Sequence, residues 1–594
     1  YGRVGSEMCI RDRYIPLEFR VIMNTIKKVV SLLRPQERIK AVYLLLMILV
    51  MAMLDTAGVA SIAPFMAVVA NPEVISSNQY LLWMYDAAGF ARVEGKLLDI
   101  QKFMFALGVM VFVIMVVSIS FKALTLYFME RFTQACNRSL SRELVDRYVN
   151  QPYSWFLNKH SSDIGKAVLS EVNAVNSGVL FPMMNAIAYG AVTVSIMTLL
   201  FVVDSWLSGA VGLFLGSIYV ITYFLLRKFL TNIGEDRVLA NQERYKVIQE
   251  GFSGIKDIKI FGLEDTLLRR FDDPSLRYAK HTASQHIIGK LPRFIMEILA
   301  FGGMLALVLY LMVTYGDFNE ILPVLALYTL AAYRMMPALQ QVYSQLTTIR
   351  FSLPALNLLY DDLNSLDKKH VSSQEAESIK PFDINTKISL DSISFQYKGQ
   401  DAPAINDINL TIKALSTVAF VGSTGSGKTT TVDLILGLLD VQQGKLAVDD
   451  IVIGSDNIRA WQKTIGYVPQ QIYLSDDSIA ANIAFGHDAQ NIDYAAVERA
   501  AKIANLHDFV INELPEGYGS KVGEQGVRLS GGQRQRIGIA RALYYDPAVL
   551  VFDEATSALD SVTEKSVMEA VHSLGNKKTM IMICLLYTSD AADE

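Results

Sequence analysis

Six apolar runs before Leu346 are each long enough to cross a bilayer: Val42–Val69, Phe103–Tyr127, Val179–Val203, Leu207–Leu226, Phe294–Tyr315 and Ile321–Val342. About 20 helical residues suffice to span the hydrocarbon. A chain crossing it must satisfy its backbone polar groups internally, so these runs are expected to be helices. After Leu346 the apolar runs shrink to strand length. Charged residues make up only 19% of the chain, low for a soluble protein.

Basic residues set the orientation of the spans. Lys27, Lys28, Arg34, Arg38 and Lys40 precede the first, and Arg131, Arg138, Arg142, Arg147, Lys159 and Lys166 follow the second. A dozen Lys and Arg lie between Arg227 and Lys290. The links at Asp204 and at Asp317–Glu320 carry none, and Asn71–Gln101 carries only Arg92 and Lys96. The N-terminus, both long loops and the C-terminal region are therefore expected in the cytoplasm. Both loops show helical periodicity, which makes them continuations of the spans. Turns are expected near Gln151–Phe156, where Pro152 suits a helix start, and near Gly251–Lys256. These turns are either contacts to the C-terminal domain or plain solvated helix–helix turns.

The two ends read differently. Val4–Arg13 and Cys584–Glu594 resemble translated sequencing adapters. Codons for Met8–Asp12, read on the opposite strand, encode a Leu-Tyr-Thr found in the tail. The expected organisation is a leader over 1–22, a transmembrane domain over 23–351, a linker over 352–385, an ATPase domain over 386–583 and a tail over 584–594. Of three cysteines, only Cys136 lies outside the ends, so no internal disulfide framework is expected. Omitting 1–13, with three basic and two acidic residues, and 584–594, with three acidic residues, moves the formal charge from −5 to −3. Neither value implies a strong field towards nucleic acid.

The C-terminal region alternates strand-like runs with helical patterns, an α/β arrangement with a mainly parallel core sheet. An apolar run, Thr417–Val421, leads into Gly422-Ser423-Thr424-Gly425-Ser426-Gly427-Lys428-Thr429, and a helix is expected from Thr430. Strand, glycine-rich loop and helix together form a phosphate cradle. The glycines let backbone N–H groups converge on phosphate oxygens, and the helix N-terminus favours the negative charge. Lys428 is placed to reach the β- and γ-phosphates of ATP, and the Thr429 hydroxyl to ligate Mg²⁺. Thr430 completes this set. A second apolar strand, Val549–Phe552, delivers Asp553 to the sheet edge as a further Mg²⁺ ligand. Glu554 follows it as the candidate to polarise the attacking water.

With Leu529-Ser530-Gly531-Gly532-Gln533 between these motifs, the chain resembles an ATP-binding-cassette half-transporter of the exporter type. That resemblance implies an α-helical six-span transmembrane domain followed by an α/β phosphate-loop ATPase, in a bacterial inner membrane. It implies that Tyr397 stacks on adenine and that Gln470 senses the γ-phosphate and Mg²⁺. Ser530, Gly531, Gly532 and Gln533 would contact ATP held by a second subunit, expected to be an identical chain. Ser557–Asp560 would cross the dimer interface, and Gly523–Gly526 would meet the transverse turns. The family carries a histidine after the strand Thr579–Ile583; here the tail begins instead and His572 precedes the strand, so weakened hydrolysis is expected.

The cargo is less constrained. Leu325–Val342 resembles exporters that flip lipid-linked oligosaccharides. Arg334 in that span and Arg293 at the edge of the fifth would suit a pyrophosphate. Structural pairing and snorkelling explain the same two residues equally well. For Asp55, Lys122 and Glu297 interior pairing or helix-end placement is the favoured reading. Lipid A-like lipids, peptides or drugs are alternative cargoes. A channel or regulator on the same fold is a different class. Soluble ATPases of DNA repair share the cassette but not six spans.

Overall fold

A computed structural model describes residues 17–90, 92–93, 96–97, 99–203, 205–315, 318–366, 379–553 and 577–585. Packing divides the chain into two units, Tyr1–Gln151 with Lys159–Lys369, and Pro152–Asn158 with His370–Glu594.

The described part of the first unit is mainly helical. Helix α1 (Leu17–Leu32) leads into α2 (Pro35–Ala60). Pro35 sits at a helix start, where a missing N–H leaves no bond unmade. The Arg34 N–H donates to Glu37 Oε2 at 2.9 Å and fixes that corner. The first expected span is broken at Ser61, where α2 gives way to α3 (Ile62–Ala70). Pro64 has no N–H for the Ala60 carbonyl, and its ring crowds that oxygen, so the helix breaks one turn earlier.

Helix α4 (Ile100–Val149) carries the second span and continues through the basic segment, as the periodicity implied. Short helix α5 (Tyr153–Phe156) starts after Pro152 and belongs to the second unit. In the first unit, two π-helical turns, Ala167–Glu171 and Asn176–Leu180, precede α6 (Phe181–Val203). Then follow α7 (Ser205–Ser253), α8 (Ile255–Phe261), α9 (Glu264–Tyr315) and α10 (Phe318–Ser365). Among the described residues, Pro35–Ala70, Ile100–Val149 and Ser161–Val202 are long and apolar enough to cross a membrane. The other three expected spans lie inside α7, α9 and α10. Helix α10 also runs on through 352–365, where the linker was expected to open.

Helix α6 packs on α10 and α2, and α7 packs on α9 and α10. Close approach depends on a missing side chain at Gly234, where a Cβ would lie 2.2 Å from the Phe351 carbonyl oxygen. The interior pairing expected for Asp55 and Lys122 is present. Asp55 is buried and accepts from Ser118 Oγ at 3.2 Å, and Lys122 Nζ lies 5.2 Å from the Tyr189 ring centroid.

Among the described residues of the second unit, eight strands form two sheets. They are β1 (Lys387–Phe395), β2 (Ile405–Lys413), β3 (Thr417–Gly422), β4 (Gln443–Val448), β5 (Ile451–Val452), β6 (Ile465–Val468), β7 (Val549–Asp553) and β8 (Thr579–Leu585). The core sheet is parallel in the order β3-β8-β7-β6. Its pairing continues through Cys584 and Leu585, opposite Val421 and Gly422. The other sheet is antiparallel, β2-β1-β4-β5. A two-residue turn, Asp449-Asp450, joins β4 to β5 with φ of 46° and 70°, the geometry that tight hairpins favour. Asp449 also accepts the N–H groups of Thr386 and Lys387, each at 2.8 Å. Burial alone would raise its carboxyl pKa, but these hydrogen bonds and that of the Thr386 hydroxyl hold it well below the usual range.

Candidate functional site

Strand β3 ends at Gly422 and helix α11 (Lys428–Ile435) begins at Lys428, so the glycine-rich segment turns between them. Gly425 and Gly427 take φ of 84° and 87°, a region closed to most side chains. At Gly427 a Cβ would also lie 3.0 Å from the Ala404 carbonyl oxygen. Both glycines are therefore required by the backbone path. Lys428 Nζ donates to the Gly422 and Ser423 carbonyls at 2.7 and 2.9 Å, folding the ammonium over the loop.

Two other predicted residues, Tyr397 and Asp553, lie near this loop's helix, and a third, Gln470, lines a separate cleft. The Tyr397 hydroxyl lies 3.2 Å from Thr430 Oγ1, and its ring meets Phe395 edge-on at 5.0 Å. Asp553 ends β7 nearly buried and accepts from the Tyr467 hydroxyl at 3.3 Å. Gln470 follows β6 at the rim of a cleft of about 500 Å³, which Gly531 and Arg534 also line. Glu554, Ser557–Asp560 and His572 lie outside the described residues.

Sequence reasoning missed Asp433. Desolvation, then the charge of Asp553, raises its carboxyl pKa to about 6. Tyr467 is pushed up by burial and by the charges of Asp553 and Asp433. Tyr153 of α5 is raised by burial and then by the nearby charges of Asp433 and Tyr397. An acidic residue between Val432 and Leu434 in a buried helical run was the available signal. Two carboxylates crowded beside a tyrosine hydroxyl form a hard-oxygen donor set, which suits Mg²⁺.

Ser530 caps helix α12 (Gly531–Leu543) in a reciprocal box: Ser530 N donates to Gln533 Oε1 at 2.8 Å and Gln533 N donates to Ser530 Oγ at 3.2 Å. The hydrogen bonds of these two side chains among the described residues thus close on each other, not on this chain's phosphate loop. Within Gly523–Gly526, Glu524–Gly526 forms a short 3₁₀ turn capped by Gly523, and a Cβ on Gly526 would lie 2.7 Å from Leu474.

The proposed cargo residues fare unevenly. Arg293 is largely exposed and pairs with Glu297 at 2.8 Å, one turn along α9. Both line a cavity of about 230 Å³ with Tyr219, Met336 and Gln340. Arg334 lies within α10, and its side chain is outside the described residues.

Residues 41–341 match the model for the ABC transporter transmembrane region, and residues 405–557 match the ABC transporter model. The chain is an ABC transporter. Over 459 residues this ABC transporter is 30% identical to an ATP-dependent lipid A-core flippase of Saccharophagus degradans, covering 77% of this chain and 76% of the relative. It is 28% identical to the flippase of the same name from Ralstonia nicotianae, covering 79% and 78%. A bacterial Atm1-family ABC exporter, solved with ATP bound, shares the fold at a TM-score of 0.72 and 21% identity, covering 92% of this chain and 91% of that one. The transporter therefore binds ATP and is an ATP-hydrolysing translocase.

Proposed function

We propose that this ABC transporter is half of a homodimeric exporter that flips an anionic glycolipid across the bacterial inner membrane, its ATPase domain and N-terminus in the cytoplasm. The observation that carries this reading is the identity, through both domains, to relatives named lipid A-core flippases. Lipid A-core and lipid-linked oligosaccharides share a phosphorylated saccharide on a hydrocarbon anchor. Arg293 and Arg334 are the candidates to meet that phosphate, with Glu297 tempering the first.

In this reading Lys428 and the loop amides of Gly422–Gly427 hold the phosphates, and Tyr397 faces adenine. Thr429, Asp553 and Gln470 would hold Mg²⁺, whose charge supports the phosphates. Glu554 positions the water. Ser530–Gln533 belong to the partner's ATP, which is consistent with their self-contained cap. Helix α8 exposes Ile260 and Phe261, a surface suited to docking. ATP binding closes two ATPase domains and shifts the population of the helical bundle; hydrolysis reverses it.

A full-length clone in liposomes tests the cargo. Stimulated ATPase and transfer with lipid A-core, and none with lipid-linked oligosaccharide, would select the first; the reverse would select the second. No response to either would remove the glycolipid reading. A separate prediction concerns Tyr467. Tyr467→Phe frees Asp553 from its hydrogen bond and should weaken Mg²⁺-dependent ATPase about tenfold, as loss of a group orienting a metal ligand typically does. Nucleotide binding without Mg²⁺ should persist. An unchanged Mg²⁺ titration would show that Asp553 needs no such support.

A further inference from the structure

Helix α1 is pinned to α10: Lys28 Nζ donates to Asn357 Oδ1 at 2.7 Å and lies 4.9 Å from the Tyr360 ring centroid. A groove of about 440 Å³ remains among α1, α2, α6 and α10. Its volume falls in the range of about 300–1,000 Å³ common to small-molecule sites. Val29, Leu180 and Met184 form a buried floor, whereas Ile26, Leu45 and Ile187 are exposed at its rim. Hydrocarbon can therefore enter from the side. Arg350 is the only Lys or Arg in the lining. Its Nε is sealed from water and, among the described residues, donates to nothing. Among the described residues Arg350 makes no ion pair, so an otherwise apolar groove contains one uncompensated cation.

We propose that this groove seats one hydrocarbon chain of an anionic phospholipid from the surrounding leaflet, with its phosphate on Arg350. The basic residues ahead of the first span place α1 at the cytoplasmic face. Anionic lipids give that leaflet its surface charge. Arginine pairs with phosphate through its planar fork, and one phosphate on the terminal N–H groups of Arg350 neutralises the charge. The Thr25 hydroxyl, on the same wall as Val29, is the other short polar group in the lining. This site is separate from the cargo and does not depend on which glycolipid is moved.

The test is fluorescence quenching of a Met184→Trp variant of the full chain in nanodiscs that contain no glycolipid. Brominated phosphatidylglycerol at low mole fraction in phosphatidylcholine should quench the added Trp about fivefold more effectively than brominated phosphatidylcholine. That is the scale of one basic residue at an anionic membrane surface. Arg350→Gln should equalise the two lipids, and Arg350→Lys should restore part of the preference, which separates charge recognition from a folding defect. Equal quenching by both lipids in the Arg350 protein would overturn the proposal. Absence of quenching by either would overturn it too, and would point to a second copy covering the groove.

Discussion

A transporter carrying Glu554→Gln will bind ATP, close its two ATPase domains and fail to turn over. Loss of a positioned general base lowers a rate by about 10²–10⁴-fold, and the amide keeps the size of the carboxylate while losing its basicity. The preceding Asp553 is anchored by Tyr467, and β7 is buried along its whole length, so the strand that delivers position 554 should be undisturbed. ATPase rate and nucleotide occupancy need to be measured together. The expected pattern is a slow enzyme that retains ATP and elutes as a tight dimer. Normal turnover would assign the base elsewhere, and loss of ATP retention would show that residue 554 binds rather than activates.

Lys428→Ala should fail at an earlier stage. Lys428 supplies the one cation among the predicted phosphate-contacting residues, and its ammonium is already folded over the loop carbonyls. Removing a preorganised group that meets developing charge typically costs about 10²–10³-fold in rate. Here the ground-state phosphates also lose a partner, so ATP affinity should fall with the rate. The two variants are thus distinguishable: Glu554→Gln holds nucleotide and Lys428→Ala does not. A Lys428→Ala protein that retained ATP as the Glu554 variant does would remove Lys428 from the phosphate cradle. A thermal melt without nucleotide separates a folding defect from either result.

What the sequence made legible was local. The phosphate loop could be read because Gly425 and Gly427 stand where the backbone needs positive φ, and because an apolar strand and a helix flank them at short range. The long helices could be read because span and loop share one period. The break at Ser61 also had a visible cause in Pro64, yet a hydropathy window averages over it. The π-helical turns, which pack against α10 and α4, had no comparable signal. Asp433 was missed as well. Its significance comes from Asp553 and Tyr467, far away in sequence and adjacent only once the parallel sheet has formed. The pairing of Arg293 with Glu297 was legible as an i,i+4 step, but the cavity that both line was not.

Helix α10 is continuous from Phe318 to Ser365. At 1.5 Å rise per residue it is a rod roughly 70 Å long. Pro323, Pro337 and Pro354 lie inside it, and each removes one hydrogen bond of the helical ladder, so the rod is stiff between these points and weakest at them. The compliance of the first unit should then be concentrated at these prolines, at Pro274 and Pro292 of α9, and at Ser61, Gly254 and Gly262, where helices meet end to end. Motion of this molecule should resemble the turning of stiff struts about fixed elbows more than the flexing of a soft bundle.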